Sequence, residues 1–365
     1  MKNRVLLREH MIIAFLITLL HFIIWVYLLH FKNYLTPANN LLELLTHWDS
    51  EWYTKIVEYD YAIEQSRAFF PLYPYLVKII NFPFKNIHPA LIGSLFSSIV
   101  FIVFIFCLNK IKNSKESIPI WLYPQNTFCY LFLVLSPASY VFHTHHTESL
   151  YLFLSYLSIY FSYFNKWFFA AILSGLCCLT KNQGVILSIS CGFLAASHAL
   201  SFKERFYIFF KFGIVSGLFF AGYLLFQYRI FGTPFAFIEA QSSWHHIDHY
   251  SEYFETFILQ SKFQDYSLGA IKHHLVFYLM LFYSFFLLKY SKAIFFYCLI
   301  SLLILPLQGE LINSFRFISF LFPIFFIMGI YENRKELFIK LIILLIFLFL
   351  NIQTTYNYGI LKWAY

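Results

Sequence analysis

The chain has 365 residues, of which 60% are hydrophobic, 23% aromatic and 12% charged, with a formal net charge of +8. Soluble domains carry about 25% charged residues, so this composition excludes a soluble globular protein and indicates a polytopic membrane protein. The Lys and Arg residues lie in short clusters between apolar runs, which is typical of membrane topology and not of a nucleic-acid site.

Apolar runs recur along the whole chain. A transmembrane helix needs about 20 residues, and we predict eleven spans, at residues 11–31, 89–108, 121–142, 149–164, 167–180, 184–200, 206–231, 274–288, 293–307, 315–331 and 337–350. The first run lacks a small-residue cleavage site, so we expect a retained signal anchor. The run 69–84 contains Pro71, Pro74 and Pro83, which predicts a re-entrant or interfacial segment. The predicted fold is an all-α polytopic membrane protein with one domain, 1–365.

The charges between the runs predict the orientation. With a cytoplasmic N-terminus, every cytoplasmic segment is short and holds a Lys or Arg, as the positive-inside rule requires. The long polar loops 32–68 and 232–273 then lie outside, as does the C-terminal tail, whose tyrosines and Trp363 predict an interfacial aromatic anchor. We expect a multi-pass protein of the bacterial inner membrane, or of the endoplasmic reticulum if the source is eukaryotic.

The first external loop contains the sequence His-Trp-Asp-Ser-Glu-Trp-Tyr at 47–53. Between residues 46 and 60, Trp48, Trp52, Ile56 and Tyr59 recur at helical spacing, so we predict a helix lying flat on the membrane with these residues as its apolar stripe. Asp49 lies at the edge of that stripe, at headgroup height. The alternative is that Asp49 only stabilises the helix dipole.

Several motifs resemble a known family when taken in order along the chain. They are the 47–53 sequence, Ala-Phe-Phe-Pro-Leu-Tyr-Pro at 68–74, Ser-Pro-Ala-Ser-Tyr at 136–140 with Thr-Glu-Ser-Leu at 147–150, Lys-Asn-Gln-Gly at 181–184, Phe-Gly-Thr-Pro-Phe-Ala-Phe at 231–237 and Ser-Phe-Arg-Phe at 314–317. The set resembles the PIG-V family of GPI mannosyltransferases and its bacterial relatives.

This resemblance implies a GT-C glycosyltransferase fold. It also implies transfer of a hexose, expected to be mannose, from a polyprenyl- or dolichyl-phosphate sugar to a lipid-linked or glycan acceptor, with inversion, on the external face. The matching acid is Asp49. A positioned carboxylate can take the proton of the acceptor hydroxyl, and the lipid phosphate leaves as a stable anion, so one acid is sufficient.

Other polar residues near external span ends are candidates for the same site. We predict that Lys181, Asn182 and Arg316 bind the donor phosphate or sugar, and that Glu148 orients a sugar hydroxyl. The alternatives are snorkelling of the two cations to the interface and a helix-dipole role for Glu148. Residues expected to line the site or bind the acceptor are His47, Trp48, Glu51, Gln241 and Trp244.

Two histidine-rich segments lie in the external loops, at 143–146 and 245–249. Imidazole and carboxylate suit zinc, but the spacing is not that of an established site, and interfacial histidines in polar loops are the favoured interpretation. We therefore expect no cofactor, with a divalent metal as the less favoured possibility. A lipid or solute transporter is the alternative function, although transporters usually place ionisable groups at mid-bilayer.

Overall fold

The structure is a computed structural model that describes residues 2–30, 40–111, 118–241, 250–257, 268–308, 311 and 313–364. These residues form helices and no strand, which confirms the all-α prediction. The α-helices are α1 (Lys2–His30), α2 (Leu41–Leu45), α3 (Asp49–Tyr59), α4 (Leu72–Asn81), α5 (Pro89–Ile111), α6 (Thr127–Val134), α7 (Glu148–Tyr163), α8 (Trp167–Cys178), α9 (Gln183–Ala196), α10 (Phe202–Phe231), α11 (Ala236–Gln241), α12 (Tyr250–Phe257), α13 (Leu268–Phe286), α14 (Lys292–Leu303), α15 (Ser314–Ile318), α16 (Phe322–Met328) and α17 (Arg334–Gly359).

Five stretches of helix in the described part of the chain are long and apolar enough to cross a membrane: Met11–His30, Pro89–Leu108, Phe202–Phe231, Ile271–Lys289 and Arg334–Gly359. Shorter apolar helices occupy Trp167–Cys178, Gln183–Ala196 and Lys292–Leu307. The protein is therefore a multi-pass membrane protein. The count of eleven spans and the GT-C fold stay predictions.

Two of the predicted spans are not continuous helices. The run 121–142 contains only α6 and a 3-10 turn at Ser139–Phe142. Helix α6 stops before Pro137, because the residue preceding a proline disfavours helical geometry. The run 315–331 is likewise divided into α15 and α16, and the second begins with Pro323 in its first turn, where a missing N–H costs nothing.

The chain divides into two compact units. The first comprises Met1–Thr54, Val77–Ser149 and Phe315–Tyr365, and the second comprises Lys55–Leu76 and Leu150–Ser314. The assignment of one domain to 1–365 stays a prediction.

In the first unit, the N-terminal helix α1 packs along the C-terminal helix α17. The Trp25 indole N–H donates to the Thr355 carbonyl at 3.0 Å, and His21 Nε2 lies 2.8 Å from the Asn351 side-chain oxygen. Both histidine and asparagine are fully buried. A polar group inside an apolar environment is costly unless it is hydrogen-bonded, so these bonds fix the register of the two helices.

In the second unit, α8, α9 and α10 pack together. Gly184 opens α9 so close to the end of α8 that a Cβ would overlap the backbone of Cys177 and Cys178. Only glycine therefore permits the tight turn that carries Lys181. The segment before α4 is tied to the same turn, because the Leu72 N–H donates to the Leu179 carbonyl at 3.0 Å.

Candidate functional site

The turn between α2 and α3 delivers Asp49, the first residue of α3. The predicted helix over 46–60 is confirmed only from Asp49 to Tyr59, because Trp48 has a backbone φ of 55° and so lies outside the helix. Along α3, Tyr59 is 62% exposed, whereas Tyr53 and Ile56 are buried. The flat position of this helix on the membrane stays a prediction.

Asp49, Glu148 and Arg316 form one ion-pair cluster in the first unit. The Arg316 Nη1–H donates to Asp49 Oδ2, and its Nε–H donates to Glu148 Oε1 at 2.5 Å. The side chains differ in exposure: Glu148 is 0% exposed, Arg316 5% and Asp49 30%. Asp49 is therefore the member of the acid-arginine-acid trio that outside molecules can reach.

The trio joins three distant parts of the chain. Asp49 and Glu148 each begin a helix, where a carboxylate is stabilised by the positive end of the helix dipole. Arg316 comes from the short helix α15. A guanidinium can donate to two carboxylates in fixed directions, so Arg316 sets the orientation of the Asp49 carboxylate. With all three ionised, the two acids and one base carry one excess negative charge.

Neutral polar groups surround the trio. His146 Nδ1 lies 2.8 Å from Thr144 Oγ1 and 3.3 Å from Ser50 Oγ. Burial lowers the pKa of His146 well below its ordinary value, and the nearby Arg316 charge acts in the same direction. Burial raises the pKa of Tyr53. Both side chains therefore stay uncharged at neutral pH.

The histidines at 143–146 do not lie at an interface, contrary to the sequence-based interpretation. His143, His145 and His146 are all buried, and His143 Nε2 bonds with the Thr18 hydroxyl at 2.9 Å. Gly93 allows the His145 ring to approach α5 so closely that a Cβ would overlap it. The short loop thus packs inside the first unit.

Among the described residues, no three His, Cys, Asp or Glu side chains are grouped so as to hold a metal ion. The second histidine segment, 245–249, lies outside the described residues. The expectation that the protein needs no cofactor stays a prediction.

His47 and Trp48 immediately precede Asp49, and each has a buried polar atom without a hydrogen-bond partner among the described residues. The His47 Nδ1–H donates to the Leu44 carbonyl at 2.5 Å, which leaves Nε2 as a hydrogen-bond acceptor. Burial lowers the pKa of His47 to about 4, against the opposing backbone hydrogen bonds. Neither His47 Nε2 nor the Trp48 indole N–H, both buried atoms, has a hydrogen-bond partner among the described residues. Buried polar atoms of this kind are expected to meet a ligand or water.

The other predicted site residues are distributed between the units. Glu51 is in the first unit and exposed. In the second, Lys181 is only 6% exposed, which is unlike a lysine that reaches an interface. Asn182 is exposed and caps α9 by accepting from the Gln183 N–H at 2.9 Å. Gln241 donates to the Ala68 carbonyl at 3.4 Å. Trp244 lies outside the described residues.

Sequence reasoning missed the pairing of Arg316 with the two acids, which are separated from it by 267 and 168 positions. It also missed the C-terminal residues near Asp49. The ring of Tyr358 lies 4.2 Å from that of His47, and the ring of Trp363 lies 4.5 Å from that of Trp48. Because Tyr358 is fully buried, the interpretation of the tail as an interfacial anchor is wrong for this residue. Tyr365 lies outside the described residues.

A comparison with protein families finds that the family described as Mannosyltransferase (PIG-V) matches residues 31–244. No curated protein and no solved structure matches the chain. The matched region includes Asp49, Glu148, Lys181 and Gln241, whereas Arg316 and the C-terminal tail lie beyond it.

Proposed function

The chain belongs to the PIG-V mannosyltransferase family and is a membrane glycosyltransferase; we propose that it moves mannose from a polyprenyl-phosphate sugar to a lipid-linked or glycan acceptor, with Asp49 as general base. Family membership favours this enzyme over the transporter considered from the sequence. The observation that carries the proposal is the trio, in which a solvent-accessible carboxylate is held by a buried ion pair.

Two features of Asp49 support its proposed role as general base. Its Oδ2 accepts from Arg316, which restrains the carboxylate. Its side chain is 30% exposed, so a hydroxyl can approach the other oxygen. Glu148 is fully buried against the same guanidinium. Of the two acids that accept from Arg316 in the trio, Asp49 is the accessible one.

The proposed step balances without a second acid. The acceptor oxygen attacks the anomeric carbon and forms the new glycosidic bond, while its proton passes to Asp49. The bond from the anomeric carbon to the donor's phosphate oxygen breaks, and its electron pair leaves with the lipid phosphate. Attack from the side opposite the phosphate inverts the anomeric configuration. General-base catalysis of this kind contributes about 100 to 10,000-fold in rate.

The neighbours of Asp49 supply binding groups for this step. His47 Nε2 can accept a hydrogen bond from a sugar or acceptor hydroxyl, and the Trp48 indole N–H can donate one to such a hydroxyl. Neither atom has a protein partner among the described residues. For the donor phosphate we keep Lys181, Asn182 and Arg316 as candidates. The proposed roles of Glu51, Gln241 and Trp244 are to line the site.

The donor class is tested by turnover with purified protein in lipid nanodiscs. We expect labelled polyprenyl-phosphate mannose to support transfer into a lipid extract, and a nucleotide sugar to support none. Transfer from a nucleotide sugar without transfer from the lipid-linked sugar would overturn the proposed donor.

The face of the membrane is tested separately. We propose a cytoplasmic N-terminus and an external active site, so reporter fusions after residues 112 and 248 should report opposite sides. Finding both reporters on one side would move Asp49 to the other compartment.

A further inference from the structure

We infer that the C-terminal residues Tyr358 and Trp363 are positioning residues that hold the His47–Trp48 turn and thereby fix the direction of Asp49. The inference rests on the proposed role of Asp49 as general base. It assigns a function to a part of the chain that lies beyond the family match at residues 31–244.

The turn that they hold contains a strained residue. Trp48 adopts a φ of 55°, in the left-handed region that favours glycine and that bulky residues rarely enter. The Glu51 N–H donates to the Trp48 carbonyl at 3.1 Å, so this conformation sets the first turn of α3, in which Asp49 is the first residue. Strained backbone persists only where the surrounding structure enforces it.

Aromatic contacts from the C-terminus supply that enforcement. The Trp363 and Trp48 rings meet edge to face, with centroids 4.5 Å apart and planes at 77°. The Tyr358 ring lies 4.2 Å from the His47 ring. Edge-to-face and offset pairs are the favoured geometries for aromatic side chains. Both residues immediately before Asp49 are therefore held by rings from the far end of the chain.

The tail is itself docked in the first unit. Leu361 has a φ of 54°, and the Lys362 N–H donates to the Asn357 carbonyl at 2.9 Å. Together they turn the chain back at the end of α17. Ala364 is only 3% exposed. Since Gly359 packs against Trp25 and Leu28 of α1, the reversed tail directs Trp363 onto Trp48.

Removal of the Trp363 ring should release the turn without removing any group that contacts substrate. A small displacement of a catalytic group from its productive geometry can lower the rate by about 100-fold. We expect Trp363→Ala to reduce kcat on the order of 10 to 100-fold, with a smaller rise in the KM for the donor from the displaced His47 and Trp48. Trp363→Phe, which restores an aromatic edge, should recover most of the rate. A purely structural tail would lower the amount of folded protein and leave kcat unchanged.

The experiment combines kinetics with hydrogen exchange of the full-length protein in nanodiscs. The matched control is Phe349→Ala in α17, the helix that precedes the tail, because Phe349 is 64% exposed and loses apolar surface without touching the turn. In Trp363→Ala, amides of residues 47–53 should exchange faster, whereas in Phe349→Ala they should match the wild type. Trp363→Leu, which fills the volume without an aromatic edge, serves if the alanine variant does not fold, and should show the same kcat loss and faster exchange.

Unchanged kcat together with unchanged exchange at 47–53 in Trp363→Ala would overturn the inference. So would an equal rate loss in the Phe349→Ala control. If the wild type transfers no sugar from any lipid-linked donor, the proposed function fails. The exchange measurement still decides whether Trp363 holds the turn, so the two failures are distinguishable.

Discussion

Removal of one carboxylate from the trio should affect stability very differently at its two ends. Glu148→Gln and Asp49→Asn both replace an acid with its isosteric amide, and both remove one negative charge from the same guanidinium. They differ in burial, because the Glu148 side chain is 0% exposed and that of Asp49 is 30% exposed. Each variant is thus the matched control for the other.

The magnitudes follow from that difference. Breaking a buried ion pair by removing one partner costs about 3–5 kcal/mol, and we expect Glu148→Gln to cost about 3 kcal/mol, because Asp49 still neutralises Arg316. A partly exposed pair contributes about 0–1 kcal/mol, so Asp49→Asn should cost less than about 1 kcal/mol. Glu148→Gln should therefore lower the apparent Tm in one detergent much more than Asp49→Asn.

The assay is thermal unfolding of both purified variants beside the wild type. Equal losses of Tm would refute the assignment of Glu148 as the buried, structural end of the trio. A larger loss in Asp49→Asn would show that the carboxylate proposed as the base is mainly a structural ion-pair partner.

Three further predictions concern packing, pH and donor binding. Gly93→Ala should destabilise the protein by about 1–3 kcal/mol, because the added Cβ would overlap the His145 ring. Gly217→Ala is the control, because no atom lies within 4 Å of the Cβ that it would add. Equal Tm values for the two variants would contradict this prediction. Burial lowers the pKa of His145 to about 3 and that of His47 to about 4. The unfolded chain, whose histidines titrate near the ordinary value of about 6.5, therefore binds more protons below that pH. The part of the free energy of unfolding that depends on these neutral histidines should be complete above pH 6.5 and decrease as the pH falls toward the lowered pKa values. A Tm that does not change between pH 7.5 and about 5 would exclude this pH dependence. Lys181→Ala should raise the donor KM by up to about a hundredfold, since charge-assisted bonds contribute up to about 3 kcal/mol, while an unchanged donor KM would leave Lys181 without a role at the phosphate.

Local signals in the sequence predicted the membrane class, part of the helical structure and the family. The apolar runs indicated the membrane class, the spacing of apolar residues between 48 and 59 predicted α3, and the ordered motifs led to the family. The helix breaks at Pro137 and before Pro323 could also have been predicted, because proline disfavours a helix at the residue before it. The runs 121–142 and 315–331 were each predicted as one span because of their apolar length.

The remaining features depend on contacts between distant positions. The pairing of Arg316 with Asp49 and Glu148 needs the packing of three separate segments, and no periodicity reports it. The left-handed φ of Trp48 could not be predicted from the sequence either, because tryptophan rarely adopts it. The rings of Tyr358 and Trp363 have the composition of an interfacial anchor, and only the fold shows that they pack on the His47–Trp48 turn.

The central claim is that Asp49 takes the proton of the acceptor, and transfer from polyprenyl-phosphate mannose by Asp49→Asn tests it most directly. Asparagine keeps the size and most of the hydrogen bonding but cannot accept a proton. We expect the variant to fold and to bind donor, yet to lose about 100 to 10,000-fold in rate, while Glu51→Gln keeps more activity. Activity of Asp49→Asn within a few-fold of the wild type would contradict the account, and a more severe loss in Glu51→Gln would move the base to Glu51.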